Sequence, residues 1–243
     1  MPLTVLVTRP EPEASLTAAD IERRGHVALL APMLTPRFLE PAPPAGRTFD
    51  AVAATSQNGV RGLARLDGAE RLQRLPFYAV GDATAREARC LGFTDVRSAG
   101  GALDDLADLL ASAGGIRSLL YAAGVDRAGD LAAALDAAGI AVTTLEVYRM
   151  DASARLPDEV ATSLAGGSVD RILIYSERTA AALVAVLREA GLLDGVAARI
   201  SAHAISARAA EPLVRAGFAS IVVSDVPRSD ALLLTLDRGQ LDS

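Results

Sequence analysis

The sequence is poor in aromatic residues and in cysteine. Aromatic residues make up 4% of its 243 residues, tryptophan is absent, and Cys90 is the only cysteine. An intramolecular disulfide is therefore impossible, which is typical of cytosolic proteins, and we expect a cytoplasmic location. Apolar residues still reach 51%. The cores must therefore consist of Ala, Leu, Val and Ile, the usual filling of helix-covered parallel sheets.

Long apolar runs and an excess of basic charge are also missing. No apolar stretch approaches the roughly 18 residues of a membrane span, and the N-terminal residues do not have the pattern of a signal peptide. The net charge is −6, from 24 basic and 30 acidic residues. Nucleic-acid-binding proteins need a basic surface to neutralise phosphates. We therefore expect neither a membrane nor a nucleic acid as partner, and a monomer, because no apolar surface seam is evident.

Common motifs for metals and cofactors are absent as well. His26 and His203 are the only histidines, and no cysteine–histidine cluster has the spacing of metal ligands. No phosphate-binding loop ending in Gly-Lys-Ser/Thr occurs, and the glycines of residues 123–129 lack the dinucleotide-binding spacing. The sequence therefore predicts no metal and no cofactor.

Short β-branched runs alternate with longer Ala/Leu stretches along the chain, which predicts an α/β fold with doubly wound parallel sheets. Two stretches, 32–47 and 150–157, interrupt the alternation, and the first is too rich in proline for a regular helix. It includes Pro43 and Pro44, and an edge-like strand is expected around Arg37–Leu39. The predicted strands are 3–8, 27–31, 51–54, 77–80, 95–98, 118–122, 141–147, 171–175, 199–204 and 220–223. The predicted helices are 13–24, 58–66, 83–91, 103–113, 128–138, a helix ending at 164, 179–190, 207–216 and 230–236.

The chain also repeats itself. Asp50–Ser56 resembles Asp170–Ser176, and Ala79–Ala85 resembles Ala204–Ala210. The repeat is out of phase with two sequential halves, because the middle block has three strand-to-helix corners and the C-terminal block has two.

The most economical arrangement is therefore a discontinuous domain of residues 1–34 and 151–243, with residues 35–150 inserted as a second domain. The two irregular stretches, near 32–47 and 148–157, would form a two-stranded hinge, and the function would lie in the cleft between the domains. Two sequential domains are the alternative.

Small or hydroxyl-bearing residues stand where the predicted strands end and helices begin. Ligands of open parallel sheets bind at such corners, because the free N–H groups of a helix start attract anions. The alternative at each corner is an ordinary helix cap, which Ser, Thr, Asn and Asp favour for stability alone. The corners are residues 55–60, 80–85, 123–127, 175–176 and 205–206.

Tyr148 stands where a strand leaves the middle block. Its phenol can donate a proton or a hydrogen bond into a cleft, or it can pack at the hinge with its hydroxyl in water. Arg9 and Arg127 also lie at corners, where each can pair with a ligand carboxylate or form a surface salt bridge.

Four segments resemble, in this order, the motifs of the uroporphyrinogen-III synthase family: Thr8–Pro10, Thr55–Val60, Ala79–Ala85 and Val147–Arg149. The resemblance covers nearly the whole chain and implies two α/β domains joined by a two-stranded connection. It also implies a cofactor-independent lyase that cyclises hydroxymethylbilane to uroporphyrinogen III, with loss of water and inversion of the last pyrrole ring. A transient contact with the preceding enzyme, a deaminase, is a further expectation.

In the mechanism that the resemblance implies, Tyr148 assists departure of the terminal hydroxyl, which leaves an electron-poor azafulvene. The far pyrrole ring attacks it to form a spiro intermediate, which fragments and recloses. The substrate-binding residues implied are Arg9, Ser56, Gln57, Asn58, Gly81, Asp82, Ala83, Thr84, Gly124, Arg127, Ser176, Ser206, Ala207 and Arg208.

The C-terminal block departs from the family pattern. Ser206–Ala210 stands where members often have Gly-Pro-Thr-Thr-Ala, and Ser176–Arg178 where they often have Ser-Pro-Ser. Pro212 should remove a hydrogen bond from the following helix, and Arg178 or Arg208 can replace the lost donors. Two alternatives follow: a non-enzymatic two-domain small-molecule-binding protein, or a diverged regulatory relative that kept the fold and lost the chemistry.

Overall fold

A computed structural model describes residues 1–42, 46–127 and 129–239, with only the backbone of residues 238 and 239. Strands and helices alternate along this part of the chain. The strands are β1 (Thr4–Val7), β2 (Val27–Leu30), β3 (Leu34–Phe38), β4 (Ala51–Ala54), β5 (Phe77–Ala79), β6 (Val96–Ser98), β7 (Ser118–Gly124), β8 (Ala141–Ala152), β9 (Arg171–Ile174), β10 (Ser201–Ala204) and β11 (Ser220–Val223). The α-helices are α1 (Glu13–Arg23), α2 (Gln57–Leu63), α3 (Ala69–Leu72), α4 (Asp82–Cys90), α5 (Leu103–Ser112), α6 (Leu131–Leu135), α7 (Asp158–Ala165), α8 (Glu177–Glu189), α9 (Leu193–Arg199), α10 (Ala207–Arg215) and α11 (Ser229–Leu234). Short 3₁₀ segments follow α6 (Asp136–Ala138) and α11 (Thr235–Gly239).

The chain divides into two compact units. The first unit consists of residues 1–35 and 151–243, and the second unit of residues 36–150. Both crossings of the chain fall inside strands, one within β3 and one within β8. They lie within one residue of the boundaries predicted from the repeat. None of the helices in the described ranges combines the length and the apolar character that a bilayer span requires.

The first unit is built on a five-stranded sheet in the order β11-β10-β9-β1-β2, and all its pairs are parallel. β1 lies inside the sheet, and its residues Val5, Leu6 and Val7 are fully buried. A run of consecutive apolar residues suits such a strand, because helices cover both faces of a parallel sheet. The N-terminal strand is therefore completed on one side by β9 of the C-terminal block.

The second unit is built on a six-stranded sheet in the order β3-β8-β7-β4-β5-β6. Alternate residues of β4 face opposite sides: Val52 and Ala54 belong to one hydrophobic cluster, Ala51 and Ala53 to another. The first cluster includes residues of α2 and α4, the second residues of α5 and α6. Helices thus cover both faces, and the predicted doubly wound α/β class is confirmed.

The internal repeat has a structural meaning. The Asp50 carboxylate, just before β4, accepts hydrogen bonds from the backbone N–H groups of Arg117 and Ser118 at 2.9 Å, where β7 begins. These two donors hold the pKa of Asp50 below its usual range. Asp170, just before β9, likewise accepts a hydrogen bond from the N–H of Thr4 at 2.7 Å, where β1 begins. In both units the repeated aspartate fixes the start of the neighbouring strand.

Some predicted boundaries were wrong. The edge-like strand expected around Arg37–Leu39 is β3, but it runs from Leu34 to Phe38, and it tolerates Pro36 because it lies at a sheet edge. Residues 150–157 are not wholly irregular, since β8 continues through Ala152. Pro43 and Pro44 lie outside the described residues.

Three helices also differ from the expectation. The helix predicted over 128–138 begins only at Leu131, because Asp130 caps it by accepting from the N–H groups of residues 132 and 133; Ala128 lies outside the described residues. The short helices α3 and α9, which stand at equivalent places in the repeat, were not predicted. α10 continues through Pro212 despite the missing donor.

The buried histidine of the first unit has a defined tautomer. His203 is 2% exposed, and its Nδ1 lies 2.7 Å from Oγ1 of Thr235. That hydroxyl already donates its only hydrogen to the carbonyl oxygen of Leu232 at 2.6 Å. His203 must therefore donate from Nδ1, and its Nε2 has no hydrogen-bond partner among the described residues. Burial, with a smaller effect from the cation of Arg171, lowers the pKa of His203 to about 4.

This histidine predicts a loss of stability in mild acid. The unfolded chain takes up a proton on His203 near pH 6.5, whereas the folded protein does so only near pH 4, so acidification between these values favours unfolding. The free energy of unfolding should fall by roughly 3 kcal/mol by pH 4 because of this histidine. Denaturant unfolding from pH 7.5 to pH 4.5 should show that the free energy of unfolding decreases as the pH falls. The slope of this decrease should be smaller in His203→Asn, because asparagine keeps a donor near the position of Nδ1 but does not titrate. An unchanged slope in that variant would contradict the assignment.

Candidate functional site

In the second unit, polar side chains gather where β4 and β7 end. The two strands pair in parallel, so their carboxyl ends lie at one edge of the sheet, the usual place for ligands. β4 is followed by Thr55 and Ser56, and Ser56 caps α2 by accepting a hydrogen bond from the N–H of Gly59 at 3.0 Å. The ordinary cap expected at this corner is therefore present, but it is not the only contact of Ser56.

Tyr148 meets this corner directly. Its phenol oxygen lies 3.0 Å from the Ser56 hydroxyl. The pairing of β7 with β8 shifts after Ala123, so that Gly124 pairs with Tyr148. A β-carbon on Gly124 would stand 2.8 Å from Cζ of the Tyr148 ring. Glycine is therefore required at position 124 for the ring to occupy this place.

A second pair of hydroxyls lies beside the first. Tyr121 of β7 places its phenol oxygen 2.9 Å from Oγ1 of Thr55. Burial raises the pKa of Tyr121 above its usual value, and the hydrogen bond with Thr55 opposes the shift only in part. Sequence reasoning missed this tyrosine because it stands in the apolar run 119–123, where it is typical of a core residue. The rarity of tyrosine, four in the whole chain, is the signal that could have singled it out.

These two pairs line a cavity of about 290 Å³ in the second unit. That volume is near the lower end for sites that hold a drug-sized ligand, so it suits one part of a larger molecule. Four of the predicted site residues line it: Ser56, Gly124, Arg127 and Tyr148. The other lining residues are Thr55, Val80, Leu103, Tyr121, Asp126 and Gly129.

Arg127 supplies a cation to the cavity. It stands in the loop after β7, where it donates to the carboxylate of Glu146 at 2.8 Å and to the carbonyl oxygen of Gly124 at 3.3 Å. It also lines two neighbouring cavities of about 660 and 510 Å³. Both partners of the ion pair are partly exposed, so the pair adds little stability and a ligand carboxylate can replace Glu146 at small cost.

The side chains of the first two residues of α2 are held by Arg61, a residue of the same helix. Arg61 donates to Oε1 of Gln57 and to Oδ1 of Asn58, each at 3.0 Å. It also donates to both carboxylate oxygens of Glu87 in α4, at 2.8 and 3.2 Å. Gln57 and Asn58 are thus fixed at the edge of the sheet, although they do not line the 290 Å³ cavity.

The predicted residues at the start of α4 lie apart from that cavity too. Gly81 is the residue before the helix, in an extended conformation, and Asp82 accepts a hydrogen bond from the hydroxyl of Ser98 at 2.7 Å. Ala83 is exposed and Thr84 is buried.

In the first unit the predicted residues lie at the corresponding sheet edge. Ser176 and Ser206 cap α8 and α10, accepting from the N–H groups of residues 179 and 209 at 3.1 and 3.3 Å. Ala207 is the first residue of α10, and Arg208 donates to the Glu177 carboxylate at 2.9 Å. In the structure, the two serines thus act as helix caps, and Arg208 forms an ion pair at the surface.

Arg9 is engaged differently. Its guanidinium lies 4.2 Å from the centre of the Tyr175 ring, a cation–π contact, and it donates to the hydroxyls of Thr17 and Ser229 at 3.3 and 3.4 Å. Arg9 is therefore fixed at the end of β1. The expectation that the function lies between the two domains stays a prediction.

Within the described ranges, no three His, Cys, Asp or Glu side chains come together as a metal site would require. Hydroxyls, arginines and helix starts are present at these edges and can donate hydrogen bonds to a ligand. Such groups suit a ligand rich in carboxylates.

Comparisons with known protein families and solved structures point to one family. A family model described as uroporphyrinogen-III synthase HemD matches residues 15–233. The fold resembles a uroporphyrinogen-III synthetase from Helicobacter pylori, with a TM-score of 0.64 and 20% identity over 98% of this chain and 100% of that one. It also resembles a mutant uroporphyrinogen III synthase from Thermus thermophilus, with a TM-score of 0.55 and 20% identity over 99% and 100% of the two chains. A comparison with curated proteins found no match. Because the family model spans most of the sequence, this chain belongs to the uroporphyrinogen-III synthase family.

Proposed function

We propose that the second unit binds the hydroxymethyl end of hydroxymethylbilane in its 290 Å³ cavity, where Tyr148 gives a proton to the departing hydroxyl. The activity itself is that of the family: a cyclising lyase that forms uroporphyrinogen III. The observation that carries the proposal is the 3.0 Å contact between Tyr148 and Ser56 at the wall of this cavity.

One of the two possible hydrogen-bond directions at this contact leaves the phenol proton of Tyr148 free. Ser56 accepts from the backbone of Gly59 and has one hydrogen to give. If Ser56 donates that hydrogen to the phenol oxygen of Tyr148, the phenol hydrogen is free for a ligand in the cavity. The serine then fixes both the position of the phenol and the direction of its proton.

The proton can be followed through the reaction. The bond between carbon and the terminal hydroxyl breaks, the phenol proton joins the hydroxyl, and water leaves. This gives an azafulvenium cation beside a phenolate. The far pyrrole ring attacks the cation through its substituted carbon and forms the spiro intermediate, in which that ring is not aromatic. The original bond between this carbon and its bridge then breaks, which restores the aromatic ring and leaves a new azafulvenium cation on the bridge. The unsubstituted carbon of the same ring attacks that cation, and the proton lost from this carbon as the ring regains its aromaticity returns to Tyr148. The pyrroles supply all the electrons, so we propose that no metal or cofactor takes part.

The carboxylates of the substrate need local donors, because the protein itself is acidic. All 24 basic residues are arginines, whose planar guanidinium groups match carboxylates in a bidentate manner. We assign substrate binding to Arg127 and Arg9 and to the starts of α4, α8 and α10. The residues concerned at these starts are Gly81, Asp82, Ala83, Thr84, Ser176, Ser206, Ala207 and Arg208. Gln57 and Asn58, held by Arg61, are included at the start of α2.

The remaining expectations are proposals as well. The sequence predicts a monomer, a cytoplasmic location and a transient contact with the preceding deaminase. That contact would shorten the time in which the unstable linear substrate can close without the enzyme.

The identity of the product tests the proposed function. Hydroxymethylbilane, generated in place by the preceding deaminase, should be converted to the type III isomer, identified as a porphyrin after oxidation. Uncatalysed closure gives the type I isomer. A folded chain that yields type I alone would contradict the enzymatic function and favour a relative that kept only the fold.

Replacement of the phenol tests the role of Tyr148. Tyr148→Phe should lower kcat about tenfold or more, because a proton donor is lost, while KM changes little. The measurement is initial rate against substrate concentration. Tyr78→Phe, a buried tyrosine of the same sheet outside the cavity, is the control. Equal rates for the two variants would remove Tyr148 from the mechanism.

Glycine at position 124 offers an independent test of the ring's placement. Gly124→Ala should lower kcat nearly as much as Tyr148→Phe, because the new methyl group would stand 2.8 Å from the ring and displace it. In a chain that already carries Tyr148→Phe, the added alanine should have little further effect on kcat. Gly195→Ala is the control, since a β-carbon there meets only Nη2 of Arg199, at 3.7 Å. Full activity of Gly124→Ala would mean that the ring works from another position.

A further inference from the structure

Tyr121 has no role in the reaction as derived so far. It is 3% exposed, yet it lines both the 290 Å³ cavity and the neighbouring 510 Å³ cavity. Two of the four tyrosines of the chain, Tyr121 and Tyr148, therefore line the same small cavity.

The partners of the two phenols are adjacent in sequence. Thr55 meets Tyr121 at 2.9 Å, and Ser56 meets Tyr148 at 3.0 Å. Each pair of hydroxyls holds two hydrogens, and the bond within the pair uses one. Each pair therefore keeps one hydrogen that can be donated to a ligand, and all four side chains line the cavity.

The surroundings of Tyr121 favour a protonated phenol. Burial is the main cause that raises its pKa, and the neighbouring phenol of Tyr148 and the carboxylate of Asp130 act in the same direction. The hydrogen bond with Thr55 and the cation of Arg127 oppose them without cancelling the effect. A group that keeps its proton at neutral pH can serve as a donor but not as a base.

We propose that Tyr121 is a second proton donor of the active site and contacts the same departing hydroxyl as Tyr148. The inference rests on the function proposed above. In the intact enzyme Tyr148 transfers its proton as the carbon–oxygen bond breaks, and Tyr121 donates a hydrogen bond to the oxygen that becomes water. Where Tyr148 is replaced by phenylalanine, Tyr121 transfers its own proton, and its phenolate later takes up the proton released by the far pyrrole ring.

The chain provides a closely matched control in Tyr78. Tyr78 and Tyr121 pair with the same residue, Ala53, from the two neighbouring strands of β4. Tyr78 is 1% exposed, and its hydroxyl accepts a hydrogen bond from Arg97 at 2.6 Å, outside the cavity. Replacing either tyrosine by phenylalanine removes one buried hydroxyl from the same face of the same sheet.

The experiment compares Tyr121→Phe, Tyr148→Phe, the double variant and Tyr78→Phe by initial rates and by the proportion of type III product. Tyr121→Phe should lower kcat about tenfold, the effect of one hydrogen bond lost to an oxygen that changes charge, with little change in KM. Tyr78→Phe should keep the rate of the unmodified chain. The double variant should be slower than either single variant, because the two donors can partly replace each other.

Three results would overturn the inference: a kcat for Tyr121→Phe equal to that of Tyr78→Phe, an effect confined to KM, or a double variant no slower than Tyr148→Phe. If Tyr121→Phe does not fold, Thr55→Val provides the second test, since it removes the hydroxyl that orients the phenol and keeps the side-chain volume. It should lower kcat and leave KM unchanged, and an unchanged kcat overturns the inference. An unmodified chain that forms only type I product refutes the proposed function instead, so the two failures are distinguishable.

Discussion

The site of the second unit depends on one irregularity in the pairing of β7 with β8. Ala123 pairs with Glu146, and Gly124 pairs not with Val147 but with Tyr148. A shift of one residue exchanges the faces on which side chains of a strand lie. The shift therefore turns Tyr148 towards the end of β4, where Ser56 stands. Bulges of this kind recur beside active sites because they redirect a single side chain.

Two glycines accommodate this irregularity, one for each of the residues at the shift. A β-carbon on Gly124 would meet the Tyr148 ring, and one on Gly62 of α2 would stand 2.6 Å from a methyl group of Val147. α2 can therefore pack closely on Val147, which is fully buried and belongs to the same hydrophobic cluster against which Tyr148 packs. The close packing of a helix and the placement of a phenol thus have a common cause in the backbone of β8.

The sequence predicts four residues of this site, but not the contacts that depend on the register of strand pairing. The strands, the corners and the candidate residues Ser56, Gly124, Arg127 and Tyr148 follow from local patterns, and the structure brings these four to one cavity. Tyr121 could not be found in this way, because its apolar neighbours in the sequence are typical of a core strand. It is in fact buried. Its partner Thr55 is 66 residues away, and only the pairing of β4 with β7 shows that the two hydroxyls meet.

The order of the strands in the first unit has a consequence for biosynthesis. Residues 36–150 form a unit that is complete once its last strand has left the ribosome. β1, by contrast, is made first, but its neighbour β9 begins only at Arg171. Until then the apolar residues Val5, Leu6 and Val7 lack half of their sheet. The sheet around the N-terminal strand can therefore be completed only when the last third of the chain has been made, whereas the inserted unit has all of its strands earlier.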